Sequence, residues 1–250
     1  MKNIIIFSEA RTGSNLLCEL FFSYNYVRVL NEFFIYFVDE KATPHYRFMT
    51  AAEKNLFFNY FNIENKTIAN LTQIINSNPK TSLELLDTIN NYKVIKVHDF
   101  IFNNLNLSFL LDDPETKFIL LNRSSKIKQY VSNQVAHQIK EWHSVNTSDI
   151  KIHVDINEFL EFKQRSNLWN LQIEKLLIEK NHNYLKLNYE EDLENVDQSL
   201  LTLKVSNWLD SNNISSSTNE YKLKFFKKQN LSNLEQIITN YKEIEQHLGD

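Results

Sequence analysis

The sequence predicts an α/β fold in which helices cover both faces of a central parallel sheet, giving three layers. Four β-rich segments, at residues 3–7, 92–100, 116–123 and 183–190, are separated by helical patterns, and a weaker fifth lies at 26–32. Strands that alternate with helices are typical of a parallel sheet, because parallel neighbours need a crossover connection. The segments NIIIF and KFILL are almost continuously apolar, which indicates central strands buried on both sides.

Helical segments lie between the predicted strands. Residues 14–24 directly follow the first strand, 125–142 follow the segment at 116–123, and 155–180 precede the last strand. In 125–142 the apolar residues recur at spacings near three and four, as they do on one face of a helix. Further helices are predicted at 51–61 and at 231–248.

A single domain spanning residues 1–250 is the simplest organisation for a chain of this length. The stretch 33–91 is rich in aromatic residues and weakly patterned. It is either an insertion that forms a lid or substrate wall, or a plain helical packing layer.

Composition limits the classes of function. With 42% hydrophobic and 23% charged residues, the chain is typical of soluble globular proteins. Its formal net charge of -4 gives no global basic field, so we expect no nucleic-acid partner. The single cysteine, Cys18, excludes an internal disulfide framework and a cysteine-based zinc cluster, and its spacing indicates a core position. No apolar run has the length of a signal sequence or a membrane span, which predicts a cytoplasmic protein without a membrane span.

The segment SEARTGSN (8–15) contains Gly13, one of two glycines in the chain, directly after the first predicted strand. A strand, a short loop and a helix present backbone N–H groups and a helix N-terminus to an anion. Gly13 permits an unusual φ, Thr12 and Ser14 supply hydroxyls, and Arg11 supplies a permanent charge. Ser14 or Asn15 can cap the helix. A simple capped turn explains Gly13 and Ser14 but not Arg11, which is costly at the end of a buried strand without an anion.

Two common phosphate-binding patterns are absent from this loop. It lacks the first glycine and the lysine of G-x-x-x-x-G-K-[ST], which argues against a kinase. It also lacks G-x-G-x-x-G, so a dinucleotide-binding site is unsupported.

The segment RTGSNLL (11–17) resembles the loop with which sulfotransferases hold the 5′-phosphate and sulfuryl group of 3′-phosphoadenosine 5′-phosphosulfate (PAPS). The resemblance implies a P-loop-like fold, with PAPS as co-substrate and no metal. It assigns donor binding to six consecutive residues, which are Arg11, Thr12, Gly13, Ser14, Asn15 and Leu16. On this reading, Gly13→Val should abolish donor binding and leave the fold largely intact.

A second segment, KFILLNRSSKIKQYVSNQVA (117–136), resembles the family's 3′-phosphate site, an arginine at a strand end followed by a serine in the next helix. The resemblance assigns these roles to Arg123 and Ser132. They are nine residues apart, as in many bacterial members, whereas many cytosolic members show eight. The helix is similar to that of the bacterial carbohydrate-type branch. Ser124 and Ser125 are alternative phosphate donors at the helix start.

A third segment, YLKLNYEEDLENVD (184–197), resembles the family's Y-E-D-L region. We expect Tyr189 and Glu190 to fix the end of the last strand rather than to contact substrate. Lys227 and Lys228 could reach the donor, although a solvated basic loop is the simpler interpretation. The three tryptophans, Trp142, Trp169 and Trp208, are expected to be packing residues, and Trp142 is the one whose packing role is least secure.

Sulfuryl transfer to a hydroxyl needs a base, together with positive charge near the transferring group. Arg11 supplies the charge, and the candidate bases are Glu32, His98 and Glu9. Glu32 matches the proposed base in a "GE" segment of bacterial relatives, although Asn31 stands where they carry glycine. His98 lies at the C-terminal end of a predicted strand, and an imidazole side chain is suited to base work. A hydrogen-bonded histidine at a strand end is the alternative interpretation. Relatives carry a lysine and a histidine as site-wall residues in the corresponding strand, which implies that Lys96 lines the site beside His98. Glu32 is preferred narrowly over His98.

The expected function is therefore transfer of a sulfuryl group from PAPS to a hydroxyl acceptor, which is a carbohydrate or a glycan-like molecule. A small-molecule kinase related to P-loop enzymes and a non-catalytic nucleotide-binding module are the alternatives. The acceptor itself and the oligomeric state do not follow from the sequence.

Overall fold

Five parallel strands form the centre of the structure, a computed structural model that describes residues 2–34, 49–87, 91–139, 150–194, 197–215 and 233–248. The strands are β1 (Asn3–Ser8), β2 (Val27–Asn31), β3 (Tyr92–Val97), β4 (Lys117–Asn122) and β5 (Tyr184–Asn188). They lie in the order β2-β3-β1-β4-β5, and each neighbouring pair is parallel.

The described residues include ten α-helices. They are α1 (Ser14–Phe21), α2 (Ala51–Tyr60), α3 (Ile68–Ser77), α4 (Pro79–Leu86), α5 (Asp99–Asn104), α6 (Lys126–Ile139), α7 (Ile156–Glu179), α8 (Gln198–Ser211), α9 (Leu234–Ile237) and α10 (Tyr241–Glu245). A 3₁₀-helix covers Leu107–Asp112, and a π-helical turn, Tyr189–Glu194, follows β5.

Side chains of the central strand alternate between two hydrophobic cores. Ile4 and Ile6 pack with α1 and α8, whereas Ile5 and Phe7 pack with α2 to α5 and α7. All four side chains are fully buried, and each contributes about 1.5–3 kcal/mol to the hydrophobic stabilisation. A third core joins α6 and α7 to the C-terminal helices. The predicted α/β fold with a parallel sheet between two helical layers is therefore confirmed.

Two predicted elements differ from the structure. The strand predicted at 92–100 ends at Val97, because residues from Asp99 onward form α5. The helix predicted at 231–248 is wrong as a single helix: it breaks into α9 and α10, and Ile238 between them forms a parallel bridge with Ile152. The side chain of Asn240 also bonds both the N–H and the carbonyl of Val154. Tertiary pairing overrides the local helical pattern here.

The described part of the 33–91 stretch packs on the sheet. Its three helices bury Phe57, Leu71, Ile75, Leu83 and Leu86 in the same core as Phe7. This burial gives α2 to α4 a packing role, and the lid or substrate wall stays a prediction. Residues 35–48 and 88–90 lie outside the described residues. Across the described part of the chain, no helix combines the length and apolarity needed to span a membrane.

Candidate functional site

The loop between β1 and α1 has an unusual backbone. Arg11 and Gly13 both have positive φ, at 65° and 84°. Gly13 occupies the N-cap position of α1, where its carbonyl accepts from the N–H groups of Leu16 and Leu17 at 2.9 and 3.2 Å. The prediction that the side chain of Ser14 or Asn15 caps this helix is therefore wrong.

The side chain of Thr12 stabilises the loop from within. Its hydroxyl donates to the carbonyl of Glu9 at 2.8 Å.

Gly13 has a second, steric reason to be glycine. A Cβ atom at this position would lie 2.6 Å from Cδ2 and 2.8 Å from Cε2 of the Tyr189 ring, and 3.1 Å from Leu193 Cδ2. The two distances to Tyr189 are too short for carbon atoms, and the distance to Leu193 is tight. The π-helical turn after β5 therefore packs directly on the backbone of the loop. A valine at this position would strain the fold, which revises the expectation that Gly13→Val leaves the fold intact.

The N-terminus of α1 offers hydrogen-bond donors. Among the described residues, no acceptor is found for the backbone N–H groups of Gly13 and Ser14. Such groups carry the positive end of the helix dipole, which favours an anion. Ser8 Oγ, at the end of β1, is also buried without a partner in the described part of the chain. These groups fit a bound phosphate or sulfuryl oxygen.

Arg11, Arg123 and Ser132 lie together in the structure. Arg11 Nε donates to Ser132 Oγ at 2.8 Å, and Arg123 Nη1 donates to the carbonyl of Arg11 at 2.9 Å. Burial, and then the nearby charge of Arg123, lower the pKa of Arg11 to about 10. Arg11 is nevertheless charged at neutral pH. Two guanidinium groups are thus held close together, an arrangement that an anion would stabilise.

The position of this cluster follows from the sheet topology. Arg11 follows β1 and Arg123 follows β4, which are adjacent strands. From β1 the chain continues to β2, which lies at one edge of the sheet. From β4 it continues to β5, which lies at the other edge. Ligands of open parallel sheets bind in the crevice where the connections diverge in this way.

Glu190 occupies the N-terminus of α6. Its carboxylate accepts from the N–H groups of Ser124 and Ser125 at 2.8 and 3.2 Å, and from Arg123 Nε at 3.3 Å. The Arg123 guanidinium also lies 4.4 Å from the centre of the Tyr189 ring. Tyr189 and Glu190 therefore fix the strand end, as predicted. The N–H groups of Ser124 and Ser125, the alternative phosphate donors, are occupied by this carboxylate.

A second cluster lies at the carboxyl ends of β2 and β3. Lys96 Nζ, almost fully buried, donates to Asn15 Oδ1 at 2.5 Å and to Glu32 Oε1 at 2.8 Å. His98 Nδ1 lies 2.7 Å from the carbonyl of Ser8, and Nε2 lies 3.4 Å from Glu32 Oε1. Since a carbonyl only accepts, Nδ1 carries a proton and Nε2 faces the carboxylate. Lys96 thus links the predicted base to the loop between β1 and α1 through Asn15.

Glu9 is the candidate base that the structure separates from these groups. Only 6% of Glu9 is exposed, and its carboxylate accepts from Ser166 Oγ and, at 3.3 Å, from Gln129 Nε2. Lys126 Nζ lies 3.9 Å away, and Gln129 also donates to the carbonyl of Ala10. This buried polar cluster holds the start of the loop against α6 and α7. The sequence analysis missed it, although polar residues on the buried faces of two helices were a signal.

The buried carboxyl of Glu9 makes stability depend on pH. Burial raises its pKa above 4.5, although Ser166 and Lys126 oppose the shift. The folded state therefore binds the proton more tightly than the unfolded state, and this stability is lost as pH rises through the folded-state pKa. Glu9→Gln, which cannot ionise, is expected to gain stability relative to the native protein as pH rises from about 4.5, measured as urea midpoints across the acidic to neutral range.

Glu53 provides a matched control with the opposite sign. Its pKa is lowered because hydrogen bonds from Arg28 and Thr50 outweigh the effect of burial. Glu53→Gln should therefore lose stability relative to the native protein at neutral pH, with the difference shrinking as pH falls. A Glu9→Gln variant with the native pH slope would contradict the raised pKa of Glu9.

Comparisons with known proteins add no identification. The chain matches no protein-family model and no curated protein. The site is therefore described by its own geometry alone.

Three of the residues considered from sequence lie outside the described residues: Trp142, Lys227 and Lys228. Trp169 and Trp208 are buried in the two main cores, as predicted. In the described segments, no group of three or more His, Cys, Asp or Glu side chains could hold a metal ion.

Proposed function

We propose that this protein is a PAPS-dependent sulfotransferase with a P-loop-like fold that transfers a sulfuryl group to a hydroxyl of a carbohydrate or glycan-like acceptor. The observation that carries the proposal is the contact between Arg11 and Ser132, at 2.8 Å, with Arg123 bonded to the same loop. These residues come from segments that resemble the two phosphate sites of this family, more than one hundred residues apart in sequence. A donor with phosphates at both ends fits such a paired site.

The two clusters divide the work of the reaction. The loop N–H groups of Gly13 and Ser14, with Arg11, would hold the 5′-phosphate and the sulfuryl group. Arg123 and Ser132 would hold the 3′-phosphate. Glu32, at the carboxyl end of β2, would face the acceptor hydroxyl.

In the transfer, the acceptor oxygen forms a bond to sulfur while the bond from sulfur to the 5′-phosphate oxygen breaks. The hydroxyl proton passes to the carboxylate of Glu32. The leaving group is 3′-phosphoadenosine 5′-phosphate, whose developing charge is offset by Arg11 and by Lys96. Lys96 is suited to this role because it already contacts both Asn15 of the loop and Glu32.

Ligand-dependent thermal stability tests the donor assignment. At 100 times its dissociation constant, 3′-phosphoadenosine 5′-phosphate should add about 2.7 kcal/mol to the stability of the native protein, well above the effect of ATP, ADP or NAD. Arg11→Ala and Arg123→Ala should lose most of this gain, because each removes a charge from one phosphate site. The readout is the shift in melting temperature on adding each nucleotide.

Arg28→Ala is the matched control. Arg28 lies on β2 and pairs with Glu53 at 2.9 Å, so its loss should change the basal melting temperature and leave the nucleotide shift intact. A native protein that shows no preference for the 3′-phosphorylated nucleotide would overturn the sulfotransferase proposal. A preference for ATP that depends on Mg²⁺ would instead favour a kinase.

A further inference from the structure

A cavity lies between helices α5 and α7. Phe102 of α5 and Trp169 of α7 join the two helices, with their ring centroids 5.7 Å apart. The cavity has a volume of about 430 Å³, which falls in the range of about 300–1,000 Å³ that is usual for small-molecule sites. Its polar lining residues are Asp99, Asn103, Glu161, Gln164, Arg165 and Gln172. We call this cavity the α5–α7 groove.

The groove is elongated along α7. The lining residues of this helix, from Glu161 to Gln172, recur at spacings of three and four and therefore share one face. At 1.5 Å per residue this face extends over about 17 Å. Asp99 and Asn103, one turn apart, line the groove from α5. A site of this length suits an extended molecule rather than a single small ion.

The groove begins beside the candidate site. Asp99 directly follows His98, which contacts the predicted base at 3.4 Å. On the other wall, Arg165 directly precedes Ser166, whose hydroxyl donates to Glu9 at the end of β1. Both walls therefore reach the carboxyl ends of the strands, where open parallel sheets bind their ligands. A molecule in the groove can extend a hydroxyl toward His98.

The groove offers hydrogen-bonding groups that the protein itself does not use. Within the described residues, none of its six polar side chains forms a hydrogen bond or an ion pair. Carboxylates accept from hydroxyls, whereas carboxamides both donate and accept. Leu168 and Trp169 add an apolar surface to the lining. This combination suits a sugar, whose ring is an apolar body that carries several hydroxyls.

Trp169 adds an unsatisfied donor to the wall of the groove. Only 3% of this residue is exposed, and its Nε1 atom is buried without an acceptor in the described part of the chain. Buried donors are rarely left in this state, because an unpaired polar group is costly. An oxygen of a bound molecule that reaches this atom would supply the missing acceptor.

Charge limits the kind of sugar that the groove can take. Two carboxylates, Asp99 and Glu161, and one guanidinium, Arg165, line it, which leaves one excess negative charge. An acidic sugar would bring a further negative charge into the groove and would be repelled. A neutral sugar meets no such repulsion.

We propose that the α5–α7 groove is the acceptor site of this protein and that it takes a neutral sugar in preference to an acidic one. Its role as acceptor site rests on the proposed function, whereas binding of a sugar to the groove requires no donor and can be measured alone. The lining residues lie outside the loop between β1 and α1 and outside the cluster around Glu32. Variants of the groove should therefore leave the nucleotide shift intact.

Saturation-transfer NMR with the full chain tests sugar binding. The probes are the methyl glycosides of glucose, galactose and mannose, together with maltose, cellobiose and lactose. The native protein should transfer saturation to at least one of them, and titration of the best probe gives its Kd. Gln164→Ala combined with Gln172→Ala should raise this Kd by about tenfold, because two hydrogen-bonding side chains of the groove are lost.

Asn157→Ala combined with Asn167→Ala is the matched control. Both asparagines are exposed carboxamides of the same helix, and neither lines the groove. This control should bind the best probe as tightly as the native protein does. Gln164 and Gln172 are exposed as well, so both double variants should keep the native circular dichroism spectrum and melting temperature.

The uronic acid form of the best probe tests the charge preference, because it carries a carboxylate in place of one hydroxymethyl group. The native protein should bind the neutral form more tightly. Glu161→Gln removes one negative charge from the groove, so the acidic form should gain affinity relative to the neutral form. Glu179→Gln should leave this ratio unchanged, since Glu179 lies outside the groove and pairs with Lys175 at 3.6 Å.

Three results would overturn the groove as a sugar site. They are saturation transfer to none of the neutral probes, native affinity in the Gln164→Ala and Gln172→Ala double variant, and tighter binding of the acidic form by the native protein. None of them would contradict the donor site, which the nucleotide shift tests separately. A protein that binds sugar in the groove without preferring 3′-phosphoadenosine 5′-phosphate would instead overturn the acceptor role together with the proposed function.

Discussion

Gly13→Ala is expected to lower the free energy of unfolding by about 2–4 kcal/mol, from two separate causes. The backbone of Gly13 has a φ of 84°, which strains a residue that carries a Cβ atom. The added Cβ would also lie 2.6 Å from the ring of Tyr189, so that ring must move. Because the Tyr189 ring lies against the guanidinium of Arg123, its displacement should also disturb the cluster of Arg11, Arg123 and Ser132. Urea unfolding of the two proteins gives the difference in free energy.

A double-mutant cycle separates the two causes. In a Tyr189→Ala background the conflict with the ring is gone, while the backbone strain and the 3.1 Å approach to Leu193 remain, so Gly13→Ala should cost less than in the native background. Equal costs in both backgrounds would mean that the Tyr189 ring moves without penalty. An unchanged urea midpoint for Gly13→Ala would contradict the positive φ of the loop itself.

The sheet could be predicted from the sequence because its signals are local. The segments NIIIF and KFILL are apolar on both faces, and the structure buries both faces of β1 and most of β4. The break between α9 and α10 could not be predicted in the same way. It results from the bridge between Ile238 and Ile152, which are distant in sequence, and a helical period carries no information on that pairing.

The candidate site also combines residues that local segments predict with contacts that only the folded chain shows. Arg11, Gly13, Arg123 and Ser132 were found from short segments, each a strand followed by a helix. The contact of Tyr189 with the backbone of Gly13 was not found, because it joins residues 176 positions apart and depends on how the turn after β5 packs. A local pattern can nominate a residue as a candidate for binding, whereas its neighbours can be identified only in the folded chain.

The buried cluster around Glu9 is a second case in which the neighbours of a residue could not be predicted from the sequence. Glu9 was one of the three candidate bases, and it directly follows β1 in the structure. Its hydrogen bonds to Ser166 and Gln129, from two other helices, make it a residue that holds the loop. Position at a strand end therefore does not distinguish a residue that contacts substrate from one that supports the site.

Glu32→Gln is expected to lower the turnover of sulfuryl transfer by about 10²–10⁴-fold, on the basis of the proposed function, because the amide cannot accept the hydroxyl proton. The amide retains the shape of the carboxylate and can still accept from Lys96 Nζ. The donor site should therefore be preserved, and 3′-phosphoadenosine 5′-phosphate should stabilise Glu32→Gln as much as the native protein. Turnover is measured as labelled sulfuryl transferred from PAPS to whichever sugar in a panel the native protein modifies fastest.

His98 decides between the two candidate bases. If Glu32 takes the proton, His98→Asn should reduce turnover less than Glu32→Gln does. In that case His98 does not take part in proton transfer itself and acts on Glu32 through its Nε2 atom, 3.4 Å from Oε1. If His98 takes the proton, the order of the two effects reverses. Glu53→Gln, a carboxylate change on α2 that leaves the site untouched, should retain native turnover. A Glu32→Gln variant with native turnover and a native nucleotide shift would exclude Glu32 as the base. It would not contradict the donor site, because the proposed function assigns donor binding and proton transfer to separate clusters.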